Sequence, residues 1–361
     1  MALAALVAAA NASPVSTTLK ARQDISAPYL NSEAQAKGKL WFGTAVDTTS
    51  AEVDNSDYMT IFNDTNIFGQ TTPGNTMKWM YTEPEQNVFT FAEGEETIAL
   101  AEATGKKVRC HNLVWSEELP SWVTDGSWTN ETLLAAMKTH ITREIEYYGE
   151  GCYSWDVVNE ALDSNGSFTE NVFLEHIGEA YVPLAFQYAY EAVESFCGDI
   201  KLFYNDYSIE YAGDKHTAAV ALVQTIQNWD GAQIDGVGFE SHFSTSFAPT
   251  QAEIEAAMAD FTALGVDVQI TELDVPCTSV PCSADALATQ AQVYYDVVAA
   301  CMATDDCTGM TVWDFDDEYS WIQPAEYDGE GDGDLFYSNL TRHPAYTAVS
   351  EAIEGSDCSV C

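Results

Sequence analysis

Basic residues are scarce in this chain. Lys and Arg number 13 against 57 Asp and Glu in 361 residues, a formal charge of −44 at pH 7. A surface of that sign repels phosphate backbones and anionic headgroups, so neither a nucleic-acid nor a membrane partner is expected. The acids are scattered rather than blocked together, which describes a solvated face and not a disordered tail. Histidine is sparse as well, with 6 in all, and His-Glu-x-x-His is absent. Zinc hydrolysis of that kind is therefore excluded. Gly-x-Ser-x-Gly is missing, which disfavours a serine hydrolase. Gly43-Thr44-Ala45, at the end of the first strand-like run, is not the Gly-rich nucleotide turn that an open doubly wound sheet would carry there. No Ser/Thr/Pro linker divides the chain, and no apolar run is long enough to cross a bilayer.

Apolar residues are plentiful at 46%, with 9 Trp, 18 Tyr and 16 Phe, ample for one large core. Met1–Ala12 is apolar and small, and Ala10-Asn11-Ala12 has the form of a signal-peptidase site, although a positive n-region is lacking. Lys20-Ala21-Arg22 could end a pro-segment. The expected division is a signal at 1–12 (to 22 with a pro-segment), a catalytic unit at 25–355 and a Cys-containing tail at 356–361. Sequons at Asn63, Asn130, Asn165 and Asn339 and 9 Cys fit a secreted, extracellular glycoprotein. The close pairs Cys277/Cys282 and Cys301/Cys307 suit disulfides. Cys152/Cys197 and Cys358/Cys361 are further pairs, and Cys110 is the expected odd thiol.

Strand-like runs recur at Leu40–Ala45, Ile67–Gln70, Lys107–His111, Ser154–Val158, Leu202–Asn205, Gly236–Glu240, Val266–Thr271 and Met310–Trp313. Between them lie stretches with apolar residues at three- and four-residue steps: Glu131–Tyr148, Pro183–Phe196, His216–Gln227, Gln251–Leu264 and Ala286–Met302. Strand then helix, about eight times over, predicts an α/β fold, a single (β/α)8 TIM barrel.

Barrels of this kind do their chemistry at the C-terminal ends of the strands. Polar and aromatic residues collect at those ends: Asn75, Lys78, His111, Trp115, Asn159, Glu160, Tyr207, Glu240, His242, Glu272, Trp313 and Trp321. A lone Trp or His is usually a packed core residue. The joint pattern, one polar tip after another, is harder to reach by packing alone. Trp155–Glu160 and Val266–Asp274 are both apolar strands ending in acids. Two carboxyls flanking one bond, with aromatic platforms and an amide for a 2-hydroxyl, are what glycoside hydrolysis needs. That chemistry calls for no metal and no cofactor.

Asp156-Val157-Val158-Asn159-Glu160 and Ile270-Thr271-Glu272-Leu273-Asp274 resemble the two signatures of glycoside hydrolase family 10, the retaining endo-1,4-β-xylanases. Asn75-Thr76-Met77-Lys78-Trp79, His111–Trp115 with Leu119-Pro120, Asn205-Asp206-Tyr207, Ser241-His242, Thr311-Val312-Trp313, Ser320-Trp321 and Pro344-Ala345-Tyr346 extend the likeness from about Ala36 to Ile353. The resemblance implies the barrel. It also implies Glu160 as acid and then base, Glu272 as nucleophile and Asn159 on the 2-hydroxyl. His242 would orient Glu272. Asn75, Lys78 and His111 would bind glycone hydroxyls, with Trp313, Trp321 and Trp115 as walls. The roles require a raised pKa at Glu160 and a low one at Glu272.

Departures from the family pattern fall in the sugar site. Gly74 stands where the family has Glu, which predicts a lost carboxylate. Ser116-Glu117-Glu118 replaces His-Ser-Gln, and Asp314 and Ile322 replace a Gly and a basic residue. Glu240 stands for Gln, so a proton shared with Glu160 and an optimum shifted toward acid are expected. The expected partner is a polysaccharide or oligosaccharide glycoside, acted on by a monomer. The alternatives are a tomatinase-like glycosidase that frees an oligosaccharide from a steroidal saponin, and a non-catalytic carbohydrate-binding barrel.

Overall fold

The structure, a computed structural model, describes residues 26–48, 51–196 and 198–361. The expected signal and pro-segment, Met1–Ala12 and Lys20–Arg22, lie outside them.

Eight strands close into one all-parallel barrel in chain order. They are β1 Trp41–Val46, β2 Gln70–Pro73, β3 Lys107–Cys110, β4 Ser154–Asn159, β5 Lys201–Asp206, β6 Gly236–Phe239, β7 Asp267–Leu273 and β8 Cys307–Val312. The last strand returns to the first through pairs such as Trp41 with Gly309 and Thr44 with Val312. Seven of the eight fall where the apolar runs predict. The exception is β2. Ile67 and Phe68 are buried, but in the turn before the strand. The strand itself is polar, because its inward side chains meet other polar groups. Thr311 Oγ1 donates to Gln70 Oε1 at 2.7 Å, and Gln70 Nε2 donates to Thr72 Oγ1 at 2.8 Å. A buried polar side chain with its partners in place is stable without being apolar.

The same logic fills the barrel centre. Arg109, 1% exposed, donates from Nε to Asp156 Oδ2 at 3.1 Å and from Nη1 to Gln269 Oε1 at 2.5 Å. Its second amino group pairs with Asp156 Oδ1, and its guanidinium lies over the Phe203 ring. One side chain thus joins β3, β4 and β7. Room for such groups comes from glycine. A Cβ on Gly43 would lie 2.0 Å from Gln70 Oε1, and one on Gly238 2.0 Å from Asn205 Oδ1.

The predicted helices appear as Asn130–Tyr148, Tyr181–Ser195, Asp214–Gln227, Gln251–Thr262 and Ala284–Ala303. The first is typical. Thr129 and Thr132 form a reciprocal cap at its start, and Leu133, Met137, Ile141 and Ile145 bury one face. Ala92–Thr104 is helical without a comparable signal, since its buried residues are Gly94, Thr97 and Ala101, too small to read as an apolar stripe.

Three expected disulfides form: Cys277–Cys282, Cys301–Cys307 and Cys358–Cys361. The fourth corrects the expectation. Cys152 bonds to Cys110, not to Cys197, and Cys110 is not a free thiol. The end of β3 and the approach to the adjacent β4 bring the two Cα atoms to 5.7 Å, although 42 residues separate them in sequence. Cys197 lies outside the described residues. Among the described residues no helix is long and apolar enough to cross a membrane.

Candidate active site

The C-terminal ends of the strands surround a cavity of about 860 Å3. All twelve residues singled out from the sequence line it, from Asn75 and Lys78 on the β2 side to Trp313 and Trp321 after β8. The barrel brings them together because they lie at or just past the tips of seven parallel strands, β2 to β8.

Glu160 leaves β4 in the left-handed region, at φ 51°. A non-glycine residue held there costs on the order of 1 kcal/mol, a strain that accumulates at functional sites. Its amide donates to Asn205 O at 2.9 Å, and Asn159 Nδ2 donates to its Oε1 at 3.2 Å. Glu272, near the end of β7, is tied to the same network. Asn205 Nδ2 lies 2.7 Å from Glu272 Oε1, 2.8 Å from Asn159 Oδ1 and 3.1 Å from Glu240 Oε1. Thr271 Oγ1 donates to Asn205 Oδ1 at 2.7 Å, which fixes which way the amide faces.

The two acids are pushed apart electrically. Burial, then the charges of Glu272 and Asp206, lift Glu160 to about 7. Burial works on Glu272 in the same direction but is outweighed. The bond from His242, the charges of His111 and His242, and the bond from Asn205 leave it below the ordinary carboxylate value. His242 sits between Glu272, 3.3 Å from Nε2, and Asp274, 2.8 Å from Nδ1. Burial opposes its protonation, but Asp274 and Glu272 overcome this and raise its pKa well above that of free histidine. Glu240 does not turn to solvent: it is 1% exposed. Burial first, then the charges of Glu272 and of Glu160, hold it well above the carboxylate range. Its stronger carboxyl neighbour is therefore Glu272 rather than Glu160.

The polar wall is built on Lys78. Its ammonium donates to Asn75 Oδ1 at 2.9 Å and stands 5.0 Å from the Trp115 ring centre. His111 is held by Asp156 Oδ2 at 3.0 Å and meets Trp313 edge to face. Trp321 is 42% exposed, a platform open to a ligand, and its Nε1 donates to Asp274 Oδ2 at 2.8 Å. Across the cleft Tyr207 covers Lys215, whose ammonium is 2.7 Å from Asp206.

Sequence reasoning missed Asp47, Glu52, Tyr319, Gln323 and Tyr327, which also line the cavity. Asp47 had a usable signal, since it is the first residue past β1. It bears on Gly74. Asn75 Nδ2 donates to Asp47 Oδ2 at 2.5 Å, and a Cβ on Gly74 would lie 3.7 Å from Asp47 Cβ. A carboxylate from β1 thus stands beside the place where the family's glutamate would begin. Asp314 packs under this wall, buried, with Tyr58 donating to it at 3.2 Å. Burial lifts its carboxyl to about 6 and, with the charge of Asp314, lifts that of Glu52 to about 10.

A carboxyl lifted to about 7 and a second held below its ordinary value, on one cavity lined by tryptophans and polar side chains, match what two-carboxyl glycoside hydrolysis requires. The sequence profile described as Glycosyl hydrolase family 10 matches residues 29–352. An endo-1,4-beta-xylanase D of Talaromyces funiculosus is 45% identical over 335 residues, covering 93% of this chain and 80% of that protein. The solved structure of a Penicillium canescens endo-1,4-beta-xylanase superposes with a TM-score of 0.89 at 47% identity, covering 92% of this chain and 99% of the other. A family 10 xylanase from Bispora sp. MEY-1, solved with xylobiose, gives 0.87 at 48% identity over 90% and 99%. The chain belongs to glycosyl hydrolase family 10.

Proposed function

We propose that this enzyme is a secreted, monomeric endo-1,4-β-xylanase that cleaves with retention, with Glu160 as acid/base and Glu272 as nucleophile. The observation that carries the reading is the opposite tuning of these two carboxyls on one cavity, about 7 for Glu160 and below the ordinary value for Glu272. The ionised Glu272 attacks the anomeric carbon as Glu160 passes its proton to the departing glycosidic oxygen. The C–O bond to the leaving sugar breaks and an ester to Glu272 forms. Glu160, now a base, takes a proton from water, and that water's oxygen replaces Glu272 at the same carbon. Asn159 holds the 2-hydroxyl. Lys78, Asn75 and His111 take glycone hydroxyls, and the tryptophans stack on sugar faces. Tyr207 serves the leaving side. The endoxylanase relatives support xylan as substrate, and the saponin-cleaving reading has no observation that favours it.

Secretion is supported by the apolar Met1–Ala12, by four disulfides among the described residues and by four exposed sequon asparagines, Asn63, Asn130, Asn165 and Asn339.

Reducing-sugar release from xylan, set against cellulose and a saponin, tests the substrate. Glu272→Ala should abolish turnover, and Glu160→Ala should lower it by roughly 10²–10⁴-fold, the usual weight of general acid–base catalysis. With an activated aryl xylobioside and azide, Glu160→Ala should yield the β-configured glycosyl azide. An α product, or wild-type rates in Glu272→Ala, would sink the double displacement.

A further inference from the structure

We propose that Glu240, His242 and Glu272 form a binding site for a divalent transition-metal cation of the zinc type. One ligand atom from each side chain can be chosen so that all three lie within 4.8 Å of one another. His242 Nε2 is 3.3 Å from Glu272 Oε2 and 3.9 Å from Glu240 Oε2. Three donors each about 2.1 Å from a tetrahedral zinc ion sit roughly 3.4 Å apart. The histidine and Glu272 already have that spacing, and Glu240 must close by about half an ångström on the histidine and by no more than about 1.4 Å on Glu272. Nitrogen with two carboxylate oxygens, and an open fourth position facing the cleft, is a donor set that zinc accepts.

Two further features point to a cation rather than to a chance cluster. The first is the support behind the imidazole. His242 Nδ1 is 2.8 Å from Asp274 Oδ2, and Trp321 Nε1 anchors the same oxygen at 2.8 Å. A carboxylate behind a histidine fixes the ring and aims the other nitrogen, as it does behind metal-bound histidines. The second is a shortage of donors. Asn205 offers two amide hydrogens to three oxygens, on Asn159, Glu240 and Glu272. The cationic group that faces Glu240 Oε2 is His242 Nε2 at 3.9 Å, beyond hydrogen-bond reach. Carboxyls that share too few donors in a largely buried site are satisfied by a proton or by a cation. An amide in place of Glu240 would supply its own hydrogens and no charge, so the glutamate is what makes the trio a site. The surroundings favour cations too: Glu117, Glu118 and Glu318 reach the same cavity, and Lys78 is the only Lys or Arg among the described residues that line it.

A cation held here occupies an oxygen of Glu272 and blocks attack on the sugar. That blockade rests on the assignment of Glu272 as nucleophile; the binding does not. The test is calorimetric titration of the chelator-treated enzyme with Zn2+ at pH 7 and fixed ionic strength. Co2+ titration followed by visible absorption and initial rates on an aryl xylobioside accompany it. One ion should bind per chain, with the rates falling at the same dissociation constant, competitively with substrate and reversibly by chelator. Glu240→Gln should weaken binding at least tenfold. Asp274→Asn should weaken it roughly 10–100-fold, the usual effect of losing an orienting carboxylate. His242→Asn should abolish it, a second route should Asp274→Asn fail to fold. The site is overturned if no stoichiometric ion binds, or if binding survives unchanged in Glu240→Gln and His242→Asn. Binding that depends on both residues yet leaves turnover intact would support the site and overturn the role of Glu272 instead.

Discussion

Replacing Glu210 with Gln should make the enzyme more resistant to unfolding at neutral and alkaline pH and leave it unchanged in acid. Glu210 is fully buried. Ser241 N donates to its Oε1 at 2.7 Å, and its Oε2 has no partner. Burial lifts its carboxyl from the usual 4.5 to about 7, against the pull of the Ser241 amide. The folded state therefore holds a proton that the unfolded chain releases between those values. For a raised folded pKa, the stabilisation is complete below about pH 4.5 and lost as pH rises through about 7. The shift is worth about 3 kcal/mol at 1.36 kcal/mol per pH unit. For a chain of 361 residues, with about 2 cal/mol/K of unfolding entropy each, that is about 4 °C in Tm. Glutamine mimics the protonated acid and cannot ionise. Thermal and urea unfolding of both proteins at pH 4, 6 and 8 should show coincident curves in acid and a gap near this size at pH 8. An equal offset at every pH would refute the argument, because it would locate the effect in packing rather than in the proton.

Other outcomes follow from the same geometry. Changing His242 to Asn removes the group that keeps Glu272 ionised, so the acid limb of the kcat/KM profile should move to higher pH; an unmoved limb would detach His242 from the nucleophile. Arg109→Met strands Asp156 in the barrel centre and should cost about 3–5 kcal/mol in urea unfolding. Joint replacement of Cys110 and Cys152 by Ser opens a 42-residue loop and should cost up to about 4 kcal/mol. Four disulfides use eight of the nine cysteines, so the denatured chain should titrate one thiol, and Cys197→Ser should remove it.

How far the sequence could be read depended on which force shaped each part. Strands buried on both faces are apolar runs, and seven of the eight were legible as such. β2 was not, because Gln70 and Thr72 are satisfied by hydrogen bonds and carry no hydrophobic signal. The site residues were legible because each sits at or past the tip of a predicted strand. Asp47 obeys the same rule and was passed over, while Glu52, Tyr319 and Tyr327 belong to loops whose path no periodicity encodes. The Cys110–Cys152 bond required knowing that β3 and β4 are neighbours at that height. The departure at Gly74 looked like a missing charge, yet Asp47 reaches the same region from another strand, which is invisible until the barrel closes.

Asn205 has a consequence of its own. A single carboxamide on β5 gauges the distance among the tips of β4, β6 and β7, so any slip of one strand is felt at three others. The rim, where Glu117, Glu118 and Tyr327 lie, is not tied to that amide. A change at Asn205 should therefore harm every substrate alike, whatever sugar the outer loops have been shaped to admit.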